Sequence, residues 1–212
     1  MPQTNDAQLI LWGRSTSSNV MKVLWLLDEL GLDYQRHDVG GDFGGTDTPE
    51  YRRHNPTGLV PTLQDGDFRL WESNAILRYL ASIHPTPLWP QAPRMRATID
   101  QWMDFQQTVL NSRVVAVFRP LIRLPPAQRD PAQIARDARA LADGWGLLLP
   151  QLEAHAHVAG DPFSLADIPL GVLVHRFYAL DIERPELPAL RAWYERLLTR
   201  PAYVRHVALP LV

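Results

Sequence analysis

Residues 55–85, NPTGLVPTLQDGDFRLWESNAILRYLASIHP, decide the fold class of this chain. Two short apolar segments, residues 60–63 and 68–71, are separated by Asp65-Gly66, a dipeptide typical of a tight hairpin turn. Apolar residues then recur at three- and four-residue intervals up to residue 83, which is typical of an amphipathic helix. The stretch therefore predicts an antiparallel pair of strands that leads into a helix.

The residues before this stretch alternate between strand and helix patterns. Residues 9–12 and 33–39 each predict a short strand, and the apolar spacing of residues 20–30 predicts a helix that ends at Gly31. A short helix is expected at residues 49–54, after a glycine-rich loop. The order strand, helix, strand, helix, strand, strand, helix within about eighty residues predicts one compact α/β unit with a mixed sheet.

The pattern changes at residues 84–94, HPTPLWPQAPR, where four prolines indicate a boundary. No strand pattern follows this segment. The spacing of apolar residues predicts helices at residues 95–118, 131–156, 165–180 and 188–198. We therefore predict an α/β domain over residues 1–84, a linker over residues 85–94 and an all-α domain over residues 95–212.

Composition and charge narrow the possible functions. The chain is 46% hydrophobic and 21% charged, which is typical of a globular protein. Its net charge is −2 and no block of basic residues is present, which argues against a nucleic-acid or anionic-membrane partner. Neither a secretory signal nor an apolar run of about 18 residues is recognisable, so we expect a cytoplasmic protein.

The chain contains no cysteine, which excludes disulfides, thiolate zinc sites and a redox-active thiol of its own. The seven histidines do not show the spacing of a metal site. His155 and His157, for example, are two residues apart in a predicted helix and would point to different faces. We therefore expect no metal cofactor.

An unusual number of hydroxyl side chains precedes the first helix, in the segment GRSTSSNV at residues 13–20. One Ser, Thr or Asn side chain is enough to cap a helix. Ser18 and Asn19 lie nearest to the predicted helix start, so capping is their expected role. Ser15, Thr16 and Ser17 are then available for other chemistry, for example as donors to an anion.

Two further pairs of residues each allow a structural and a functional interpretation. Pro61 cannot donate to a strand ladder, so it belongs at a sheet edge or beside a ligand, and a cis Val60–Pro61 bond would expose the Val60 backbone to a peptide. A trans proline that opens an edge strand is the simpler interpretation. Ser73 has the position of an ordinary helix N-cap, but a helix N-terminus also binds carboxylates, and Glu72 offers a charge for an ammonium group.

The sequence resembles the glutathione S-transferase family over nearly its whole length. The similarity is carried by STSSNVMKV after the first strand, by NPTGLVPTL, by LWESNAILRYL and by FSLADIPL in the helical half. The serine-type first loop is most similar to theta- and delta-like bacterial members. The resemblance implies a thioredoxin-like glutathione-binding domain, an all-α helical bundle as the second domain and usually a homodimer.

The resemblance also implies roles for individual residues. Ser17 would donate to the thiol of glutathione, with Ser15 as the second candidate and Thr16 as a possible contributor. Val60 and a cis Pro61 would pair with the cysteinyl backbone, and Glu72 and Ser73 would bind the γ-glutamyl end. His54 would lie near the glycine carboxylate, as could Arg52 or Arg53. Ser164 and Asp167 have the form of a capping box, which we assign to folding.

These residues lead to an expected reaction. A free thiol with a pKa of about 8.5 is mostly protonated at neutral pH, so an enzyme that uses glutathione as a nucleophile must stabilise the thiolate. A transferase acting on small apolar electrophiles is the leading hypothesis. The alternatives are a glutathione-dependent disulfide or peroxide reductase and, from another class, a non-catalytic glutathione-binding module.

Overall fold

The computed structural model describes residues 9–212, which divide into two compact units, residues 9–84 and 85–212. The first unit is a four-stranded sheet with three helices. Its strands are β1 (Leu9–Trp12), β2 (Tyr34–His37), β3 (Thr62–Asp65) and β4 (Phe68–Trp71), and its helices are α1 (Ser18–Leu30), α2 (Pro49–His54) and α3 (Ser73–Ile83). The predicted mixed α/β unit is confirmed.

The sheet has the strand order β2-β1-β3-β4. Strands β1 and β2 are parallel, whereas β3 is antiparallel to both β1 and β4. Thr62 at the start of β3 pairs with Trp12 at the end of β1 and with Trp71 at the end of β4. The segments that follow β1 and β4 and the segment that precedes β3 therefore lie at the same edge of the sheet.

Helix α1 is buried on all sides over eight consecutive residues, 20–27, of which all but Lys22 are apolar. It packs against α3, whose Ile76, Leu77 and Leu80 are also fully buried. Gly31 ends α1 in the left-handed conformation, at φ 63°, and its amide donates to the last turn of the helix. The sequence predicted this stop correctly.

The second unit is entirely helical within residues 85–212, apart from one isolated β-bridge. Helix α8 is buried along nearly its whole length and forms the centre of the unit. None of the helices in residues 9–212 is both long and apolar enough to cross a membrane. The helices are α4 (Pro93–Phe105), α5 (Asn111–Arg123), α6 (Pro131–Gly146), α7 (Leu149–Ala154), α8 (Asp167–Ala179), α9 (Pro188–Leu198) and α10 (Pro201–His206).

Some element boundaries differ from the prediction. Helix α4 begins at Pro93, inside the predicted linker, because proline is tolerated at the first helical position. A π-helical turn, Gln106–Leu110, joins α4 to α5, and helical structure continues to Arg123. Strand β3 begins at Thr62, two residues later than expected, since Pro61 has no amide to donate to the ladder.

Ser164 and Asp167 do interact, but they do not form the predicted capping box, because the N-cap residue of α8 is Ala166 and the helix begins at Asp167 without a side-chain cap. The interaction is buried. One carboxylate oxygen of Asp167 accepts hydrogen bonds from the Ser164 amide at 2.8 Å and the Ser164 hydroxyl at 2.9 Å. The other oxygen accepts from the Val158 amide at 3.1 Å and the Trp193 indole at 2.9 Å. Burial raises the pKa of the Asp167 carboxyl, and these donors oppose that rise. The cluster ties α8 to α9 and to the preceding loop, which is a folding role.

Candidate functional site

The candidate site lies at the edge of the sheet where β1 ends and β3 begins. Val60 packs against two glycines there, and a Cβ atom added to Gly13 would lie 3.2 Å from the Val60 Cβ and 2.5 Å from the Val20 side chain. A Cβ on Gly40 would lie 3.3 Å from the Val60 side chain. Both glycines have positive φ, at 149° and 81°. Only glycine therefore allows the three loops to approach one another this closely.

The Val60–Pro61 peptide bond is cis, as the resemblance implied. Among residues 9–212, no hydrogen bond engages the backbone amide or carbonyl of Val60. Those two groups are the donor and acceptor that an extended peptide needs for strand-like pairing.

A buried hydrogen-bond network holds the loop that carries Val60. The Tyr51 hydroxyl donates to the Leu59 carbonyl at 2.6 Å, and the Asn55 amide donates to the same carbonyl at 2.9 Å. Both side chains also contact the Thr62 hydroxyl, at 2.8 and 3.1 Å. Burial raises the pKa of the Tyr51 hydroxyl, which keeps it a hydrogen-bond donor. This network was not predicted from the sequence, although Asn55-Pro56-Thr57 has the pattern of an Asx turn.

The structure corrects the assignment of the α1 cap. Ser17, not Ser18 or Asn19, occupies the N-cap position, with φ −78° and ψ 125°. Its side chain makes no capping hydrogen bond, and its hydroxyl has no partner among residues 9–212. The hydroxyls of Ser15, Thr16 and Ser18 also have no partner in the described part of the chain. Position beside the first turn of α1 therefore distinguishes Ser17, because that turn has unsatisfied amides and a positive dipole end.

The simpler interpretation made Ser73 the N-cap residue of the third helix, but the structure gives that position to Glu72. Helix α3 begins at Ser73, so Glu72 is the N-cap residue, and it makes no side-chain capping bond. Glu72 is the sole non-glycine residue with positive φ within residues 9–212, at φ 70°. Such a conformation costs about 1–3 kcal/mol and is typically found at functional sites. The Glu72 carboxylate is exposed and unpaired within those residues.

Ser73 is buried between α1 and α3. Its hydroxyl accepts a hydrogen bond from the Lys22 ammonium at 3.3 Å and donates to the Asn19 side-chain oxygen at 3.2 Å. Lys22 also donates to the Asn74 side-chain oxygen at 3.4 Å. Asn19 therefore connects the two helices and does not cap α1. Polar residues near the start of α1 therefore contact the first turn of α3, although more than fifty residues separate them in the sequence.

His54 lies on α2, and within residues 9–212 no hydrogen bond or ion pair joins it to Ser17, Val60 or Ser73. Its ring stacks on Trp12 with a centroid distance of 5.1 Å, and its Nδ1 accepts a hydrogen bond from the Arg69 guanidinium at 3.1 Å. This acceptor role places the proton of the neutral imidazole on Nε2. Nε2 has no partner among the described residues and is the ring atom that remains able to donate.

Arg14 is a cation near Val60 whose role was not predicted from the sequence. Its side chain lies against the second glycine-rich loop, and a Cβ on Gly41 would be 2.9 Å from its Nε. One of its terminal nitrogens lies 3.4 Å from the position of a Cβ on Gly40. Arg14 makes no hydrogen bond or ion pair with its side chain within residues 9–212. A guanidinium in this state is able to bind an anion.

No group of three or more His, Asp or Glu side chains in residues 9–212 is arranged to hold a metal ion. The chemistry available at this edge of the sheet is that of hydroxyls, backbone amides and separate charges. Such a set is suited to binding a peptide with a charged end and to stabilising an anion.

Comparison with known proteins assigns the chain to a family. The glutathione S-transferase N-terminal domain model matches residues 7–82, and the C-terminal domain model matches residues 128–196. The chain is 35% identical to the glutathione S-transferase GstB of Escherichia coli K12, over 96% of this chain and 99% of that protein. It is 34% identical to glutathione S-transferase 3 of Zea mays, over 95% and 94%.

A solved structure shows the same architecture. The theta class glutathione S-transferase of Xanthomonas axonopodis pv. citri with glutathione bound superimposes with a TM-score of 0.93 and 45% identity. The match covers 97% of this chain and 100% of that one. The mixed sheet, the helical second unit and both family models lead to the same conclusion: this chain belongs to the glutathione S-transferase family.

Proposed function

We propose that this protein binds glutathione at the candidate site and directs its thiolate to the electrophilic carbon of a small apolar compound. The carbon–sulfur bond forms as the leaving group departs with its electron pair. The observation that carries the proposal is the convergence, at one sheet edge, of the Ser17 segment, the Val60 backbone and the α3 N-terminus. Calorimetric titration with glutathione, followed by conjugation assays on a panel of electrophiles, tests it. Absence of glutathione binding would contradict it.

The γ-glutamyl end of glutathione carries both an α-carboxylate and an ammonium group. The Ser73 hydroxyl and the first-turn amides of α3 are suited to the carboxylate, and the exposed Glu72 carboxylate is suited to the ammonium group. The unusual backbone of Glu72 supports this assignment, because it places the side chain at the helix start without capping the helix. We assign Glu72 and Ser73 to this end.

The cysteinyl part of glutathione would pair with the amide and carbonyl of Val60, next to Pro61. Its sulfur would then lie on the side of the Ser17 hydroxyl. A hydroxyl that donates to the sulfur, beside the positive end of α1, favours the thiolate over the thiol. Ser17 is therefore the proposed catalytic residue, and Ser15 remains the second candidate.

The glycine carboxylate is the third charged group that needs a partner. The His54 Nε2 proton is one available donor, as the sequence analysis expected. The guanidinium of Arg14, unpaired within residues 9–212, is another, and it lies against Gly40, the same glycine that the Val60 side chain contacts. Both remain proposed ligands of this carboxylate.

The assignment of the glycine end leads to a comparison of two variants. Arg14→Gln is expected to raise the Kd of glutathione about tenfold, because it removes a charge-assisted hydrogen bond. His54→Phe keeps the stacking on Trp12 and should raise the Kd by a smaller factor. Titration calorimetry with glutathione and with its glycine ethyl ester measures both. The ester lacks the carboxylate, so each variant should bind it about as well as the unaltered protein does. If a variant weakens binding of the ester as much as binding of glutathione, that residue does not contact the glycine carboxylate.

Ser73→Ala is expected to raise the Kd of glutathione by about 10- to 30-fold, because a hydrogen bond to a charged group is lost. The value of kcat at saturating glutathione should change much less, since Ser73 is remote from the sulfur. Ser82→Ala is a matched control on the same helix, where the hydroxyl donates to the Arg78 carbonyl at 2.7 Å. Equal effects of the two variants would contradict the role of Ser73.

The acceptor substrate, the assembly and the location complete the proposal. We assign a small apolar electrophile as the second substrate, a homodimer as the assembly and the cytoplasm as the location. The reductase and the non-catalytic module are not favoured, because the curated relatives described above are named as transferases. Conjugation assays and size-exclusion chromatography with light scattering test the first two assignments.

A further inference from the structure

Lys22 has a position that the transferase reaction as described does not explain. Of the 21 lysine and arginine residues in the sequence, it is the only lysine. It is 0% exposed and lies among the consecutive buried residues 20–27 of α1. Lysine is almost never fully buried without polar partners, because an ammonium group loses its hydration there. The polar groups around the Lys22 ammonium are therefore informative about its role.

The contacts of Lys22 point to the start of α3. Its ammonium donates to the Ser73 hydroxyl at 3.3 Å and to the Asn74 side-chain oxygen at 3.4 Å. An ammonium group has only donors, so the Ser73 oxygen must act towards it as an acceptor. The proton of Ser73 is thereby directed away from Lys22, and in the described structure it points to Asn19. Lys22 thus reserves the Ser73 proton for an acceptor other than itself, and a bound carboxylate would replace the Asn19 oxygen as that acceptor.

The positive charge of Lys22 also favours the binding of a carboxylate at Ser73. A carboxylate oxygen that accepts from the Ser73 hydroxyl at an ordinary distance would lie within about 6 Å of the Lys22 nitrogen. Over that distance in a partly buried site, opposite charges attract strongly. The N-terminus of α3 adds its positive dipole end, and Glu72 leaves its first turn without a side-chain cap.

We propose that Lys22 is a positioning residue for glutathione, which orients the Ser73 hydroxyl and supplies the buried positive charge opposite the γ-glutamyl α-carboxylate. This inference rests on the proposed function and deepens it. Two residues would then recognise the carboxylate: Ser73 contacts it directly, and Lys22 contacts Ser73. The site should therefore distinguish glutathione from analogues that lack this carboxylate.

The first experiment replaces Lys22 with methionine, which has a similar length and no charge. Lys22→Met is expected to raise the Kd and the KM of glutathione by about 10- to 100-fold. The kcat at saturating glutathione should stay within about threefold of its original value, because Lys22 is remote from the sulfur. A residue that only supported the fold would lower kcat and stability together and would not produce this division.

The second experiment changes the ligand. The probe is 4-aminobutyryl-cysteinyl-glycine, in which a hydrogen replaces the γ-glutamyl α-carboxylate. The unaltered protein should bind this analogue more weakly than glutathione, and Lys22→Met should bind it as well as the unaltered protein does. Tyr79→Phe is the control variant, since it removes a 2.7 Å hydrogen bond to Asp65 in the same unit, and it should not change either Kd.

The third experiment uses the unaltered protein and needs no folded variant. Labelling with [15N]lysine gives a single side-chain ammonium signal, because Lys22 is the only lysine. That signal should shift when glutathione is added and shift clearly less with the analogue. An unshifted signal with bound glutathione, or an equal loss of affinity for both ligands in Lys22→Met, would overturn the inference. If the unaltered protein does not bind glutathione at all, the proposed function fails instead.

Discussion

Replacing Ser17 with alanine should lower kcat/KM for glutathione conjugation by about 100-fold or more, the usual cost of removing one donor to a developing anion. The glutathione Kd should change little, because the hydroxyl acts on the sulfur and not on the charged ends. The pH at which activity is half-maximal should move up towards about 8.5, where an unassisted thiol ionises. A pH–rate profile and the ultraviolet absorbance of the bound thiolate measure this shift.

The neighbouring hydroxyls provide the matched controls for this prediction. Ser15→Ala and Ser18→Ala remove side chains that also have no hydrogen-bond partner within residues 9–212. Both variants should keep the pH profile of the unaltered protein. A normal profile in Ser17→Ala together with a shifted one in Ser15→Ala would transfer the thiol-donor role to Ser15.

Asp167→Ala should destabilise the helical unit by about 3–5 kcal/mol, the largest effect on stability that we expect from any single substitution described above. The substitution leaves the amides of Val158 and Ser164, the Ser164 hydroxyl and the Trp193 indole without their acceptor inside a dry core. Buried donors without an acceptor account for most of this cost. Urea denaturation followed by tryptophan fluorescence and by circular dichroism measures it.

Asp130→Ala is the matched control, because the Asp130 carboxylate also accepts hydrogen bonds at the start of a helix in the same unit, but as an exposed N-cap residue. Its carboxylate accepts from the Ala132 and Gln133 amides, both at 3.0 Å. Loss of an exposed cap costs about 1 kcal/mol. Similar costs for the two variants would show that burial of the Asp167 cluster contributes nothing beyond ordinary capping.

The secondary structure of the first unit was predictable because its signals are local. A two-residue turn joins β3 to β4 as expected, although it consists of Gly66 and Asp67, one residue later than the predicted Asp65-Gly66, and β4 has the expected bounds, Phe68–Trp71. Some predicted element boundaries were wrong because local backbone hydrogen bonding, not the apolar pattern, determines where an element starts or ends. Strand β3 starts after Pro61, and α6 ends at Gly146 where the periodic pattern had predicted a helix up to residue 156. Apolar spacing shows that an element exists, but hydrogen bonds define its ends.

The hydroxyl-rich segment before α1 illustrates what spacing does not reveal. The sequence led us to expect Ser18 or Asn19 as the cap residue and a free hydroxyl on Ser17. The Ser17 hydroxyl has no partner within residues 9–212, but the N-cap position belongs to Ser17 as well. Ser17 takes the cap position through its backbone alone, and Asn19 turns to Ser73 in another helix. Capping depends on backbone dihedral angles, which several short polar residues in a row adopt about equally well.

The fold class, the change from α/β to all-α structure and the family were predictable from the residues alone, because they depend on periodicity and on short motifs along the chain. Which polar groups meet was not predictable, because it depends on how the elements pack in three dimensions. The chain separates Lys22 from Ser73 by 51 residues and Asp167 from Trp193 by 26. Contacts of this kind arise when whole helices pack, so the charge behind Ser73 became visible only after α1 and α3 were in place.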